Sequence, residues 1–215
     1  KKLTLVERDD IRQEPAGDIE SLRYDKKEIK STKLPANREV VLKSIKGSAM
    51  EINLEVDVKD APALELNVLR SPGREEYTKI VFYKGRGFGA GRDYRFGQVE
   101  RVIRPGEKFP APNPAAQQQT RMSLISIESA YASLHPDVRP RAPETAPVFI
   151  GNDETLKLRV FIDKSVVEVF VNDKQVVAVR VYPSRKDSLG VSLRSQGKDS
   201  ELKLLEAWQM KNIYE

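Results

Sequence analysis

The sequence predicts an all-β protein, an antiparallel two-sheet β-sandwich of concanavalin-like or jelly-roll type with little helix. Three observations carry this. Apolar residues recur with period two in one run after another, as where Leu156, Leu158, Val160 and Ile162 alternate with Lys157, Arg159, Phe161 and Asp163. The runs are short and separated by Gly, Pro, Asn and Asp. No apolar stripe at 3.6-residue spacing reaches the length of a helix. Each strand then buries only alternate residues, so two sheets must face each other to form a core.

Taken in order, residues 13–23 carry Pro15 and Gly17 and read as a connector with one helical turn. Val40 to Leu42 is a short strand. From Met50 the alternation is clean, with Ile52, Leu54, Val56 and Val58 on its face and Glu51, Asn53, Glu55 and Asp57 opposite. Leu64, Leu66 and Val68 repeat it until Ser71-Pro72-Gly73, and Tyr77 to Tyr83 and Met122 to Glu128 give two more strands. After Leu156 to Ile162, the turn Asp163-Lys164-Ser165 leads to Val167, Val169 and Val171. Asn172-Asp173-Lys174 then leads to Val177, Val179 and Val181. Two turn signals between three β-branched runs predict an antiparallel meander with one dry face. Ser188 to Arg194 and Leu202 to Tyr214 close the chain, with Trp208 expected to face the same way as Leu202, Leu204 and Met210. The total is about ten strands, without the internal repeat that propeller blades would need.

Residues 84–121 interrupt this regularity with a Gly-rich stretch, Lys84 to Arg92, and then Pro105, Pro110, Pro112 and Pro114. So long an irregular insertion is functional, disordered or packed on something outside this chain. The Gly-rich stretch lacks Gly-Lys-Ser/Thr and does not open a helix, which argues against a nucleotide site. Between Lys84 and Arg104 six basic residues outnumber Asp93 and Glu100, with Phe88, Tyr94 and Phe96 among them. That mixture suits a protein interface or a solvated loop first, a sugar second and nucleic acid last.

Composition excludes several chemistries. The 215 residues suffice for one large β domain or two small ones, with 39% hydrophobic and 32% charged residues. The absence of Cys removes disulfides, thiolate catalysis and Cys-based metal sites, and a single His leaves no basis for a histidine triad or multi-histidine metal centre. No apolar run approaches the roughly 18 residues of a membrane span. A net charge of +5 reads as solubility rather than a nucleic-acid footprint. The chain opens Lys1-Lys2 without Met, which reads as a mature or excised piece and says nothing about export. No cofactor and no metal are expected, and neither nucleic acid nor membrane is an expected partner.

The segment Val160-Phe161-Ile162-Asp163-Lys164-Ser165-Val166-Val167-Glu168-Val169-Phe170-Val171-Asn172-Asp173 resembles the signature of the C-terminal β-sandwich of glycoside hydrolase family 32, the family of invertases, levanases and inulinases. Residues 13–23, a Gln-x-Pro element before an acidic turn ending Leu22-Arg23, resemble that family's linker, and Leu202 to Tyr214, with Trp208 leading into its tail, resembles the closing strand. The resemblance implies an interdomain linker over 1–25 and a sandwich over 26–215 carrying the 84–121 insertion. The implied function is non-catalytic: packing on and stabilising a five-bladed catalytic propeller absent from this chain. It also favours a secreted, periplasmic or extracellular protein and allows fructan or another glycan, or a second copy of the chain, as partner. The family's catalytic carboxylates lie in Trp-x-Asn-Asp-Pro-Asn, Arg-Asp-Pro and a Glu beside Cys, none of which is present. The alternatives are an independent lectin-like carbohydrate-binding module or a protein-interaction domain.

Candidate contact residues, for an interface or a glycan, are Phe88, Tyr94, Phe96, Tyr131, Arg139, Arg141 and Glu168. Asp163 and Glu168 are close in sequence, but retaining glycosidases need two carboxyls about 5 Å apart, one with a raised pKa. Asp163 sits where a turn would employ it, and Glu168 alternates with apolar neighbours, facing solvent or an interface. His135, before Pro136 in a polar segment, reads as a surface side chain.

Overall fold

The computed structural model describes residues 1–7, 10–85, 122–139, 141–151 and 154–213. Phe88, Tyr94 and Phe96, with most of the 84–121 insertion, lie outside the described residues. The chain begins with β1 (Lys2–Glu7) and β2 (Asp10–Glu14), followed by a single 3₁₀ turn (Glu20–Leu22). Then come β3 (Arg23–Leu34), β4 (Glu39–Lys46), β5 (Ala49–Asp57), β6 (Ala63–Arg70), β7 (Thr78–Tyr83) and β8 (Ser123–Glu128). They are followed by β9 (Glu144–Val148), β10 (Leu156–Asp163), β11 (Val166–Val171), β12 (Gln175–Arg180), β13 (Gly190–Gln196) and β14 (Ser200–Met210).

Two six-stranded antiparallel sheets form the sandwich. The first runs β12-β11-β10-β5-β14-β3 and the second β4-β13-β6-β7-β8-β9, while β1 and β2 make a separate two-stranded sheet. The alternation in sequence becomes the core. Ile52, Leu54, Val160, Val167 and Val169 of the first sheet and Leu66, Ile80, Ile125 and Leu193 of the second belong to one buried apolar cluster. The meander closes as its turns demand. Asp163 pairs with Val166, leaving a two-residue turn in which Lys164 is left-handed at φ 50°. Asn172 and Asp173 are left-handed at φ 48° and 55°, a conformation that short polar side chains tolerate.

The structure departs from the expected face of the last strand. Leu202 is buried in the core, whereas Leu204 is exposed on the outer face with Trp208 opposite Glu51. The register against β5 shifts between Leu202 and Leu204, and the extra residue of this β-bulge exchanges the two faces; Leu205 and Ala207 then continue inward. A second irregularity explains Gly190. The register shifts between Gly190 and Ser192, and a Cβ at Gly190 would lie 2.8 Å from the Arg70 carbonyl oxygen. Leu69, in the same stretch of β6, is left-handed at φ 48°.

Four strands carry no clear period-two signal. In β3 nearly every side chain is exposed, because it is an edge strand, and Lys26, Lys27, Lys30 and Lys33 discourage further pairing there. Strand β9 closes the edge of the second sheet and contains Pro147, which an edge strand can accept. The remaining two, β1 and β2, pack on neither sheet face as core strands do.

Candidate domain interface

On the outer face of the first sheet Glu51 is fully buried. Its Oε1 accepts from Arg23 Nη2 at 2.6 Å and Arg159 Nε at 2.7 Å, and its Oε2 accepts from Arg23 Nε at 2.9 Å. Arg159 Nη2 reaches on to Glu20 at 2.7 Å. Each guanidinium also lies over a ring, Arg23 at 4.2 Å from the Trp208 centroid and Arg159 at 5.1 Å from Phe161. The arrangement clamps the 3₁₀ turn and the start of β3 onto β5, β10 and β14. Further back, the Gln13 N–H donates to the Asp173 carbonyl at 2.7 Å, and Gln13 Nε2 donates to the Lys174 carbonyl at 3.1 Å. Residues 13–23 are therefore tied to the first sheet at both ends.

Beyond that tie stands the β1–β2 hairpin. Leu5 opposes Ile11 and Leu3 opposes Gln13, which puts the three apolar side chains on one face. Leu3, Leu5 and Ile11 are 59%, 69% and 48% exposed. An isolated two-stranded hairpin is marginal in water, and an uncovered apolar face on one is a docking feature.

A second polar anchor holds one end of the sandwich. Glu76 is also fully buried, and its donors come from two distant segments. Oε1 accepts from the N–H of Leu134 at 2.8 Å and of Ser184 at 3.0 Å, and from the Ser184 hydroxyl. Oε2 accepts from the Arg185 N–H at 3.0 Å and the Ser188 hydroxyl at 2.7 Å. Burial opposes ionisation, but the hydroxyls of Ser184 and Ser188 and the backbone donors outweigh it and bring the carboxyl down to about 2. Because Leu134 and Ser184 share this carboxylate, exposed Tyr131, Leu134 and Tyr182 gather at the same end.

The sequence candidates fall in different places. Tyr131 lies at this loop end, stacked on Tyr77 at 5.2 Å with Arg74 over the far ring at 4.7 Å, so its outer face is open. Arg139 and Arg141 are exposed on the connection to β9. Glu168 is on the other sheet, half-buried opposite Phe161. Asp163 is exposed at the β10–β11 turn, and His135 is exposed with its Nδ1 accepting the Asp137 N–H at 3.3 Å. The structure does not gather these residues into one site. Among the described residues no group of three or more His, Asp or Glu could hold a metal ion, and no helix is long and apolar enough to cross a membrane. Sequence reasoning missed Glu51, Arg23, Arg159 and Glu76. For Glu51 a signal existed, a carboxylate alternating with core residues in β5. Glu76 stands outside any strand and offered none.

Comparison with known proteins agrees with the architecture. The model of the family described as glycosyl hydrolases family 32 C terminal matches residues 18–209. Levanase of Bacillus subtilis (strain 168) is 27% identical over 203 residues, covering 94% of this chain and 25% of the levanase. Among solved structures, fructan 1-exohydrolase IIa from Cichorium intybus superposes with a TM-score of 0.72 at 16% identity, over 94% of this chain and 38% of that one. Exo-inulinase from Aspergillus awamori gives 0.63 at 16% identity, over 98% and 34%. The chain thus spans a quarter to two-fifths of the relatives it matches, and at such identity the structural matches speak for the fold.

Proposed function

This chain belongs to the family of glycosyl hydrolases family 32 C-terminal domains, and we propose that it serves as the non-catalytic module that packs on and stabilises a catalytic propeller acting on β-fructosides. The observation that carries the reading is the β1–β2 hairpin. Its apolar face, Leu3, Leu5 and Ile11, has no cover among the described residues, yet its root is fixed to the sandwich through Gln13. A rigidly rooted, uncovered apolar ribbon suits a module whose partner supplies the missing layer. Burying three such side chains would contribute about 1.5–3 kcal/mol each before association costs. The substrate class follows from relatives named for levan, fructan and inulin.

The test supplies the parent protein's propeller as a separate chain. The module alone is expected to release no fructose from sucrose, levan or inulin. Mixed with the propeller, it is expected to co-sediment and raise the propeller's Tm. The triple substitution Leu3→Ser, Leu5→Ser and Ile11→Ser should abolish co-sedimentation while leaving the module's own Tm in place. Co-sedimentation unaffected by the triple variant would show that the hairpin is not the docking element.

A further inference from the structure

The outer face of the first sheet carries a trough whose construction goes beyond docking. Strands β11, β10, β5 and β14 place their outward side chains in two transverse rows. In one, Phe170 stands opposite Arg159, Arg159 opposite Asn53, and Asn53 opposite Glu206. In the other, Lys157 stands opposite Glu55 and Glu55 opposite Leu204. Short Asn53 between the longer Arg159 and Glu206 leaves a depression of about 580 Å³ crossing the strands. That size is within the range of small-ligand pockets.

The walls are held in place. Arg159 is fixed by Glu51 and Glu20, and Thr155 Oγ1 donates to Glu55 at 2.8 Å. Asn172 accepts the Lys157 N–H at 2.9 Å and donates through Nδ2 to the Thr155 carbonyl at 2.8 Å and Glu154 at 2.9 Å. Glu154 and Glu206 are each paired with a lysine, Lys174 and Lys26. One group in the floor is unmet: Asn53 Oδ1 is shielded from solvent and has no hydrogen-bond partner. A buried acceptor of this kind favours a ligand that brings a donor.

Charge selects the ligand class. The lining carries two cations, Lys157 and Arg159, against four carboxylates, Glu55, Glu154, Asp173 and Glu206, which disfavours phosphate and other anions. No metal-binding group of three or more His, Asp or Glu is present among the described residues. What fits is an uncharged ligand with many hydroxyls and some apolar surface. We propose that this trough binds a neutral oligosaccharide, with Asn53 Oδ1 accepting a sugar hydroxyl at its centre, Glu55 and Arg159 bonding neighbouring hydroxyls, and exposed Leu204 meeting a C–H face at one corner.

The experiment titrates the full chain with inulin-type and levan-type oligosaccharides, and in parallel with neutral glucans of similar length, following amide chemical shifts. Fructans are first probes because of the proposed function; the trough itself is argued from its walls. Saturable shifts centred on β5, β10 and β14 are expected. Asn53→Ala should weaken binding at least tenfold without lowering Tm, since the side-chain oxygen it removes has no hydrogen-bond partner. Leu204→Lys, at an exposed position, should do the same by filling the trough. Binding of glucans but not fructans would uphold the site and count against a fructan-active parent. No saturable shift with any neutral oligosaccharide, or unchanged affinity in both variants, would overturn the site and leave the hairpin docking untouched. Protection of these amides by the propeller rather than by sugar would assign the trough to the domain contact and overturn it equally.

Discussion

Glu51 and Glu76 are both fully buried carboxylates, and they are held by opposite means. Glu51 meets two guanidiniums, which cancel its charge; both arginines keep part of their side chains in water, at 19% and 25% exposure. Glu76 makes no ion pair among the described residues. Five dipolar donors surround it, three of them backbone N–H groups of Leu134, Ser184 and Arg185. The difference decides what each can hold. Long side chains can swing out and be rehydrated, so the Glu51 clamp is a releasable tie between residues 13–23 and the sheet. Backbone donors cannot move without moving the chain, so Glu76 dictates the path of two loops.

A carboxylate with no partner at all sets the upper limit. Val169 is fully buried in β11 between Val160 and Val177. Val169→Asp places an uncompensated charge in the dry core, at a cost of several kcal/mol, comparable with the whole stability of a domain. The variant is expected to be unfolded by circular dichroism at room temperature. A folded Val169→Asp would mean that the core tolerates charge, and the contrast between the two native carboxylates would lose its meaning.

Glu76→Gln is next. The carboxamide keeps one acceptor oxygen and turns an NH₂ donor toward the donors on the other side, leaving at least one backbone N–H unmet, because a serine hydroxyl can rotate to accept and an N–H cannot. The expected loss is about 3 kcal/mol, or about 6–12 °C in Tm for a domain of this size. The same residue contributes to the fold's acid sensitivity. Its carboxyl is brought down to about 2, from the ordinary glutamate value of 4.5. The stabilisation is therefore complete above pH 4.5 and is lost as pH falls toward 2. Protonation across that window removes about 3 kcal/mol. Urea unfolding of the parent at pH 6 and pH 3 should show the decline, and Glu76→Gln should flatten it. An equally steep decline in the variant would move the acid sensitivity to other carboxylates.

How far the sequence disclosed this molecule depends on where a residue's partners lie. Strands β5, β10, β11 and β12 were legible because their signal is local: each alternates within itself, and Asn172-Asp173 marks its own turn. The two-sheet sandwich follows from that. Strand β14 misled because one bulge near Lys203 reverses the faces, and a bulge has no period. Strand β3 stayed hidden because an edge strand of lysines needs no apolar face. The Glu76 anchor was illegible for a different reason: its donors stand at 134, 184, 185 and 188, and only the folded chain brings them together. The contact candidates Tyr131, Arg139, Arg141 and Glu168 were chosen by residue type, and the fold puts Glu168 on the other sheet from the β8–β9 connection that carries the first three.

The smallest effect is expected from Glu51→Gln, and it separates the two anchors most sharply. The amide preserves the shape of Glu51, and both arginines can turn toward water. The cost should be about 1–2 kcal/mol, below that of Glu76→Gln. Release should be local. Trp208 is the only tryptophan, and Arg23 lies on its ring, so loosening the clamp should shift its emission to the red. Amide exchange should rise at residues 13–23 and stay unchanged in β10 and β11, whose pairing does not involve Arg23. Because the hairpin is rooted separately through Gln13, the variant should still dock to a propeller while remaining folded. A loss of stability equal to that of Glu76→Gln, or exchange rising throughout the sheet, would show that Glu51 supports the sandwich itself rather than holding the connector onto it.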